Sequence, residues 1–458
     1  MTTLDDRFAP FAQRMDDAGM PPLATATFKA HYAALVAGET GEIPEDRIRP
    51  VPQLPDADDL DEALARVGED ALDQTVFVKL NGGLGTSMGL RQAKSLLPVR
   101  GDRTFLDLIA AQARTTGCPL LLMNSFATRD DTLAALRSWP ELLEGDLPVD
   151  FLQHQVPKVD RASLAPVEHA DPARTWCPPG HGDLYTALVT RGVLDRLLAA
   201  GRRYLFVSNS DNLGAVLDKR ILGWFVSQGA PFLMEAADRT AADRKGGHLA
   251  LQGDQLILRE VAQCPTDDLA QFQDHTRHRY FNTNNLWIDL QALAERIGPG
   301  QPLVLPLIRN KKTVDPRDPA SAPVFQLESA MGSAIAVFPG ARAIRVPRTR
   351  LVPVKTTADL LRTRSDATLE HDDGRLVPAT DTPPRITLDA RHYKLVGQLD
   401  AHFPDGPPSL VGCSSLRVDG EVVFGAGVVC VGDVHITAAE GTVQHIPDGA
   451  RLTGEVRL

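Results

Sequence analysis

The stretch Val76–Ser95, VFVKLNGGLGTSMGLRQAKS, decides how this chain is read. Val76, Phe77 and Val78 form an apolar run that predicts a buried strand, and it stops at a glycine cluster, Gly82, Gly83, Gly85 and Gly89. Lys94 and Ser95 follow, and a second apolar run, Leu96–Val99, comes next. A strand feeding a glycine loop lets backbone N–H groups approach a phosphate with no Cβ in the way. A lysine shortly after neutralises that phosphate. The stretch predicts a nucleotide-handling loop.

Two familiar phosphate loops do not fit it. The P-loop pattern, G-x-x-x-x-G-K-[ST], fails because Ala93 precedes Lys94 and Met88 stands where the first glycine belongs. The dinucleotide fingerprint requires G-x-G-x-x-G with an acid roughly 20 residues on, at the end of a second strand. Gly83, Gly85 and Gly89 are spaced more loosely, and Asp102 and Asp107 fall in a turn and a helix-like segment. A dehydrogenase reading is set aside.

At 458 residues the chain is long enough for two or three compact units. Lysine and arginine number 48 against 59 acids, a net charge of −11. An acidic chain argues against nucleic acid or an anionic membrane as partner, because phosphate-backbone binding needs clustered cations. A local basic pocket for a small polyphosphate remains compatible with it. The five cysteines are dispersed without C-x-x-C spacing, which predicts reduced thiols and a cytoplasmic protein. The start, MTTLDDRFAP, is acidic where a signal peptide is basic, and no apolar run approaches membrane-spanning length.

Three regions are expected. Residues 1–74 read as a helical lead-in, with Phe28, Tyr32, Leu35 and Val36 on one face and a Pro- and acid-rich connector, Ile43–Asp61. Residues 75–350 alternate strand-like and helix-like runs, which predicts an α/β domain with a largely parallel sheet and helices on both faces. Residues 351–458 begin with a linker helix and end in short Val-rich runs punctuated by glycine. That spacing favours a β-solenoid over a β-sandwich fragment.

Five further segments fall just past predicted strand ends, where α/β sheets bind ligands. In CPPGHGDLYTAL (177–188), two prolines stiffen a turn that presents His181; the plainer reading is a helix entry with Asp183 as N-cap. In LFVSNSDNLGA (205–215), Asp211 is suited to Mg²⁺, which takes one or two carboxylates and completes its shell with phosphate oxygens and water. The competing reading is an Asx turn capping the next helix. FNTNNLWIDL (281–290) offers neutral amides, which suit sugar hydroxyls. KGGHLALQGDQLILREVAQCP (245–265) reads as a hairpin whose Glu260 points inward or pairs with an arginine. In RLVPVKTTADLL (350–361), Lys355 precedes a helix capped by Thr356 or Thr357. A cation there opposes the helix dipole, which points to an anion nearby as the reason for it; the alternative is a solvent-facing lysine.

Read together, KLNGGLGTSMG with Lys94, LMNSF, PPGHGD, SNxDNLG, KGG, FNTNNLW, QLE and PVKTTADLL resemble the UTP–glucose-1-phosphate uridylyltransferase (UDP-glucose pyrophosphorylase) family in its eukaryotic form. The resemblance runs from GETGEIPED (38–46) into the β-rich tail. It implies a Rossmann-like, glycosyltransferase-A-like nucleotidyltransferase catalytic domain over 75–350, with an α/β sheet that is mixed but mostly parallel, and a C-terminal β-helix (solenoid) domain. It implies that Leu80, Gly82 and Gly83 line the nucleotide loop, and that Met123, Gln153, Pro179 and Gly180 frame the uridine of UTP. Lys94 and Lys355 would bind phosphates, Asp211 would hold Mg²⁺, and His181, Asn209, Gly247, Glu260, Asn282 and Asn284 would line the sugar-phosphate side. The chain departs from the family at Gln92–Ala93, where Gly-Pro is usual, at Ser210, usually Ile, and at Cys177, usually aromatic.

The reaction this implies is UTP plus glucose 1-phosphate giving UDP-glucose and pyrophosphate, by in-line attack of the sugar phosphate on the α-phosphorus. Galactose or N-acetylglucosamine 1-phosphate is the alternative sugar, although Asn81–Thr86 reads N-G-G-L-G-T rather than the A-G-G-x-G-T-R typical of the latter branch. A non-catalytic UDP-sugar-binding regulator is the alternative from another class; retention of Lys94, Lys355 and Asp211 speaks against it. The tail also offers strand edges through which a homo-oligomer would assemble.

Overall fold

A computed structural model describes residues 3–298, 301–316 and 318–458. Its centre is a ten-stranded sheet. The apolar run that opens the glycine loop becomes the strand Thr75–Asn81, in which Val76, Phe77 and Val78 are buried on both faces. Tyr204–Asn209 and Leu120–Asn124 pair with it in parallel on either side, and Asp150–Leu152 extends the parallel set. Parallel neighbours need crossover connections, and helices supply them: Phe105–Thr116, Arg129–Leu136, and the pair Asp183–Thr190 and Val193–Ala199. Gly192, at φ +64°, separates the last two.

The rest of the sheet corrects the expectation of a mostly parallel arrangement. Tyr280–Asp289 inserts between Tyr204–Asn209 and Phe232–Asp238, antiparallel to both. The hairpin His248–Gln252 and Gln255–Arg259 and the edge strand Arg49–Pro50 add antiparallel pairs, while Arg342–Val346 pairs in parallel with Phe232–Asp238. The sheet is mixed as expected but not mostly parallel, because the polar FNTNNLW segment is a strand inside it, antiparallel to both neighbours.

Each face of the sheet packs a separate core. Phe77, Phe206 and Trp287 stack in series on one face, with ring centroids 5.6 and 4.4 Å apart, against the helices Phe105–Thr116 and Lys219–Gln228. Val76, Val78, Val207 and Leu286 pack the other against Asp183–Thr190 and Leu290–Arg296. In the lead-in, Leu4–Asp17 and Pro22–Val36 join through Phe8, Phe11, Phe28 and Tyr32. The connector is pinned by Glu45, whose carboxylate takes Arg259, Arg277 and His278.

Near the C-terminus four strands, Arg385–Leu388, Cys413–Asp419, Val429–Thr437 and Arg451–Arg457, pair in parallel in that order. Val422–Phe424 and Gln444–Ile446 form a second parallel pair. Leu416, Val418, Phe424 and Ile436 point inward and are continuous with the Phe77 core. Tyr393 ties this region down: its carbonyl accepts from the Thr357 hydroxyl and its own hydroxyl donates to the Val422 carbonyl. No helix among the described residues is long and apolar enough to cross a membrane.

Candidate active site

The strands Thr75–Asn81 and Tyr204–Asn209 end side by side, with Asn209 opposite Leu80 in register. Beyond their carboxyl ends lies a cleft of about 390 Å³. Leu80, Gly82, Gly83, Lys94, Gln153, Gly180, His181, Asn209, Asp211, Asn284 and Lys355 all line it, although they come from segments scattered over 276 positions of sequence, from Leu80 to Lys355.

Asp211 is the electrostatic centre. Its Oδ2 accepts from Lys94 Nζ and from Lys355 Nζ, each at 2.7 Å. The residue is only 7% exposed, and its Oδ1 is buried with no hydrogen-bond partner. Burial alone would raise the carboxyl's pKa, but Lys355 and Lys94 together hold it below the usual aspartate value. Asp211 does not cap the next helix; Asp218 does, accepting from the N–H groups of Arg220 and Ile221. Lys355 is not merely solvent-facing, since its ammonium reaches back to Asp211, while Thr356 caps the helix Thr357–Arg364.

Around this charged centre the lining is neutral. Gly82 admits the Gln153 amide: a Cβ on it would stand 3.1 Å from Gln153 Oε1. Gly180, at φ +82°, lies so close to the Ser329 carbonyl that a Cβ would meet its oxygen at 2.4 Å. His181 Nδ1 accepts the Met331 N–H at 3.0 Å, which assigns the ring proton to Nε2. Burial, with Lys355 adding to it, pushes the His181 pKa down to about 4, so the imidazole is neutral at physiological pH. Asn284 is held at φ +59°, at a register shift against Phe232–Asp238 that turns it toward the cleft.

A family model described as UTP–glucose-1-phosphate uridylyltransferase matches residues 25–430. The chain belongs to this family. The UTP–glucose-1-phosphate uridylyltransferase of Saccharomyces cerevisiae is 41% identical over 395 residues, spanning 84% of this chain and 78% of its own. That of Hordeum vulgare is 40% identical over 424 residues, spanning 90% and 85%. Among solved structures, a UDP-glucose pyrophosphorylase mutant from Leishmania major, in complex with UDP-glucose, superposes over the full length of both chains at TM-score 0.92 and 43% identity.

The uridylyltransferase family's usual Gly-Pro before the loop lysine is Gln92–Ala93 here, yet the loop reaches the cleft. Ala93 has φ −52° and ψ 131°, a conformation proline would also take, and the Lys94 N–H donates to the Gly83 carbonyl at 3.0 Å. Lys94 Nζ also donates to the Val354 carbonyl, which joins the glycine loop to the Lys355 segment.

Five of the expected residues lie outside the lining. Met123 is buried beneath it, paired with Leu80. Pro178 takes the lining position, and Pro179 turns toward a small cavity with Phe28 and His154. Asn282 stands behind Asn284, exchanging hydrogen bonds of 2.9 Å in both directions. Its own N–H donates to the Gly247 carbonyl, and Gly247 is tight against Glu260, where a Cβ would fall 2.7 Å from the carboxylate. The Glu260 hairpin forms as expected; burial pushes that carboxyl up to about 7.

Other residues line or brace the site without having been assigned to it. Ser210 joins the lining. Asp183 is not the expected N-cap; its carboxylate takes the backbone and ring N–H of His154 at 2.6 and 2.9 Å, tying the Gln153 segment to the His181 loop. Lys79 is fully buried, donates to the Ala215 and Asn212 carbonyls, and is pushed down to about 7 by burial. A lysine within VFVKLN was the signal for it, masked by the glycines that follow.

Proposed function

We propose that this chain transfers a uridylyl group from UTP to glucose 1-phosphate, releasing UDP-glucose and pyrophosphate. One observation carries the reading: two lysines from distant segments meet a single buried carboxylate in a neutral cleft at the sheet's carboxyl edge. The nucleophile is already an anion, so no side chain need act as nucleophile or base. The α-phosphorus–oxygen bond to the sugar phosphate forms as the bond to the pyrophosphate oxygen breaks, and the electron pair leaves with pyrophosphate. The work left to the protein is alignment and charge neutralisation.

In this reading Lys94 and Lys355 turn from Asp211 toward phosphate oxygens as the two anionic reactants enter. Gln153 and the Gly180 turn hold the nucleobase end by neutral hydrogen bonds and close packing. His181 Nε2–H donates to a sugar or phosphate oxygen, while Asn209 and Asn284 select the sugar, with Asn282, Gly247 and Glu260 backing Asn284. The unpartnered Oδ1 of Asp211 fits Mg²⁺, an ion that accepts one protein carboxylate when phosphates and water fill its shell. Bound there, the ion would add positive charge beside the phosphates.

Three units, 1–74, 75–350 and 351–458, fit the element order, with the parallel C-terminal strands read as a short β-solenoid. The Arg451–Arg457 strand pairs on one side only among the described residues, and its free edge is where a second copy would add. Light scattering of the full chain against one ending at Ala450 tests this; an unchanged mass would remove it. Five unpaired cysteines agree with a reducing, cytoplasmic setting. The substrate assignment is tested by pyrophosphate release over a panel of nucleotides and sugar 1-phosphates. UTP with glucose 1-phosphate is expected to give the highest kcat/KM, and preference for another pair would overturn it.

A further inference from the structure

The two residues that meet over the cleft, Asp211 and Lys355, sit on separate segments, and neither segment is regular structure where it matters. Behind them lies a buried polar hub that the reaction itself does not use. Glu235, with 0% exposure, accepts four hydrogen bonds: from Arg350 Nε and Nη2 at 2.7 and 2.6 Å, from Asn285 Nδ2 at 2.9 Å and from Trp287 Nε1 at 3.0 Å. A carboxylate has about four acceptor positions, so this one is saturated. Arg350 Nη2 also donates to the Val216 carbonyl at 2.9 Å.

The hub reaches the cleft through one side chain. Asn212, next to Asp211 and 1% exposed, donates from Nδ2 to the Arg350 carbonyl at 3.0 Å. Its Oδ1 accepts the Val352 N–H at 2.9 Å. The backbone repeats the junction, since the Val354 N–H donates to the Asp211 carbonyl and Asn212 bridges Pro353. The Asn212 amide thus fastens the Asp211 loop to the Arg350–Lys355 segment at two points.

From this we infer that Asn212 is a positioning residue: its amide, anchored by the Arg350–Glu235 pair, sets the separation of Lys355 and Asp211 that uridylyl transfer requires. The inference rests on the function proposed above. It explains why the DN pair of SNSDNLG is a unit, with Asp211 facing the cleft and Asn212 facing the hub. An amide suits the position because its separate Nδ2 and Oδ1 reach the Arg350 carbonyl and the Val352 N–H at once, a span that a single hydroxyl oxygen does not offer. Misplacing a reacting group by an ångström costs on the order of 10²-fold in rate.

The test is a double-mutant cycle of Asn212→Ala with Lys355→Ala, read as kcat and KM for pyrophosphate release together with the melting temperature. Asn212→Ala alone is expected to lower kcat on the order of 10²-fold with KM for UTP changed less than about threefold. In the Lys355→Ala background the same change is expected to cost less than about threefold, because the group it positions is gone. An additive loss in the double variant would overturn the inference, as would a wild-type kcat for Asn212→Ala. Asn212→Ser, which keeps a hydroxyl in place of the amide, is taken through the same cycle should the alanine variant fold poorly. Absence of uridylyl transfer in the wild-type chain would instead overturn the proposed function, which keeps the two failures distinct.

Discussion

The cleft has two ends built on opposite principles. At one end Lys94, Asp211 and Lys355 bring three formal charges within direct contact. At the other, Gln153, a neutral His181, Asn209 and Asn284 present donors and acceptors with little charge. The difference follows from what each end must hold. Phosphates repel one another and must be neutralised before they react, whereas a base or sugar is recognised by hydrogen-bond geometry, which fixed charge would blur. Charge at one end should therefore govern turnover and neutral groups at the other should govern binding.

That division can be broken from the charged end first. Asp211→Asn removes the shared carboxylate and its unpartnered Oδ1, and kcat is expected to fall on the order of 10³-fold with Mg²⁺ dependence lost; a fully active variant would refute its role. On the neutral side, Gln153→Ala is expected to raise KM for UTP about tenfold at nearly constant kcat, one neutral hydrogen bond in size. A drop in kcat with constant KM would mean that this end also stabilises the transition state.

The smallest effect concerns Glu260. Its carboxyl titrates near 7 in the folded chain against an ordinary value of 4.5. Between those values the unfolded chain releases a proton that the folded chain keeps, so stability falls as pH rises through that window. Glu260→Gln should therefore be more stable than the parent at pH 8 by about 1–2 kcal/mol, less than the full shift because the hairpin is partly open to water, and no more stable at pH 4. Equal stability at pH 8 would mean that the carboxylate finds compensation.

Much of the charged end was legible in the sequence. Glycines after an apolar strand, a lysine beyond them and an acid ending a second strand are local patterns, and their chemistry follows from residue type. The hub was not legible. Glu235, Arg350 and Asn285 are separated by up to 115 positions, and each alone reads as an ordinary polar residue. The FNTNNLW strand was hidden for a related reason: asparagines favour turns, but here Glu235 accepts from the Asn285 amide and Asn282 and Asn284 bond each other, overriding the local preference. Asp183 was read as a cap because helix entries favour that residue, whereas its partner, His154, lies on a segment that sequence spacing cannot bring to it. Gln92–Ala93 still leaves Lys94 in the cleft, since alanine takes backbone angles that proline also takes.

The central claim is that cations, rather than a nucleophile or a base, carry this reaction, and Lys355→Ala tests it most directly. The Lys355 side chain is 58% exposed, so the substitution should leave the melting temperature unchanged. At saturating UTP and glucose 1-phosphate, kcat for pyrophosphate release is predicted to fall by 10²–10³-fold, on the order expected for loss of one preorganised charge. An unchanged kcat in a folded Lys355→Ala variant would contradict the account.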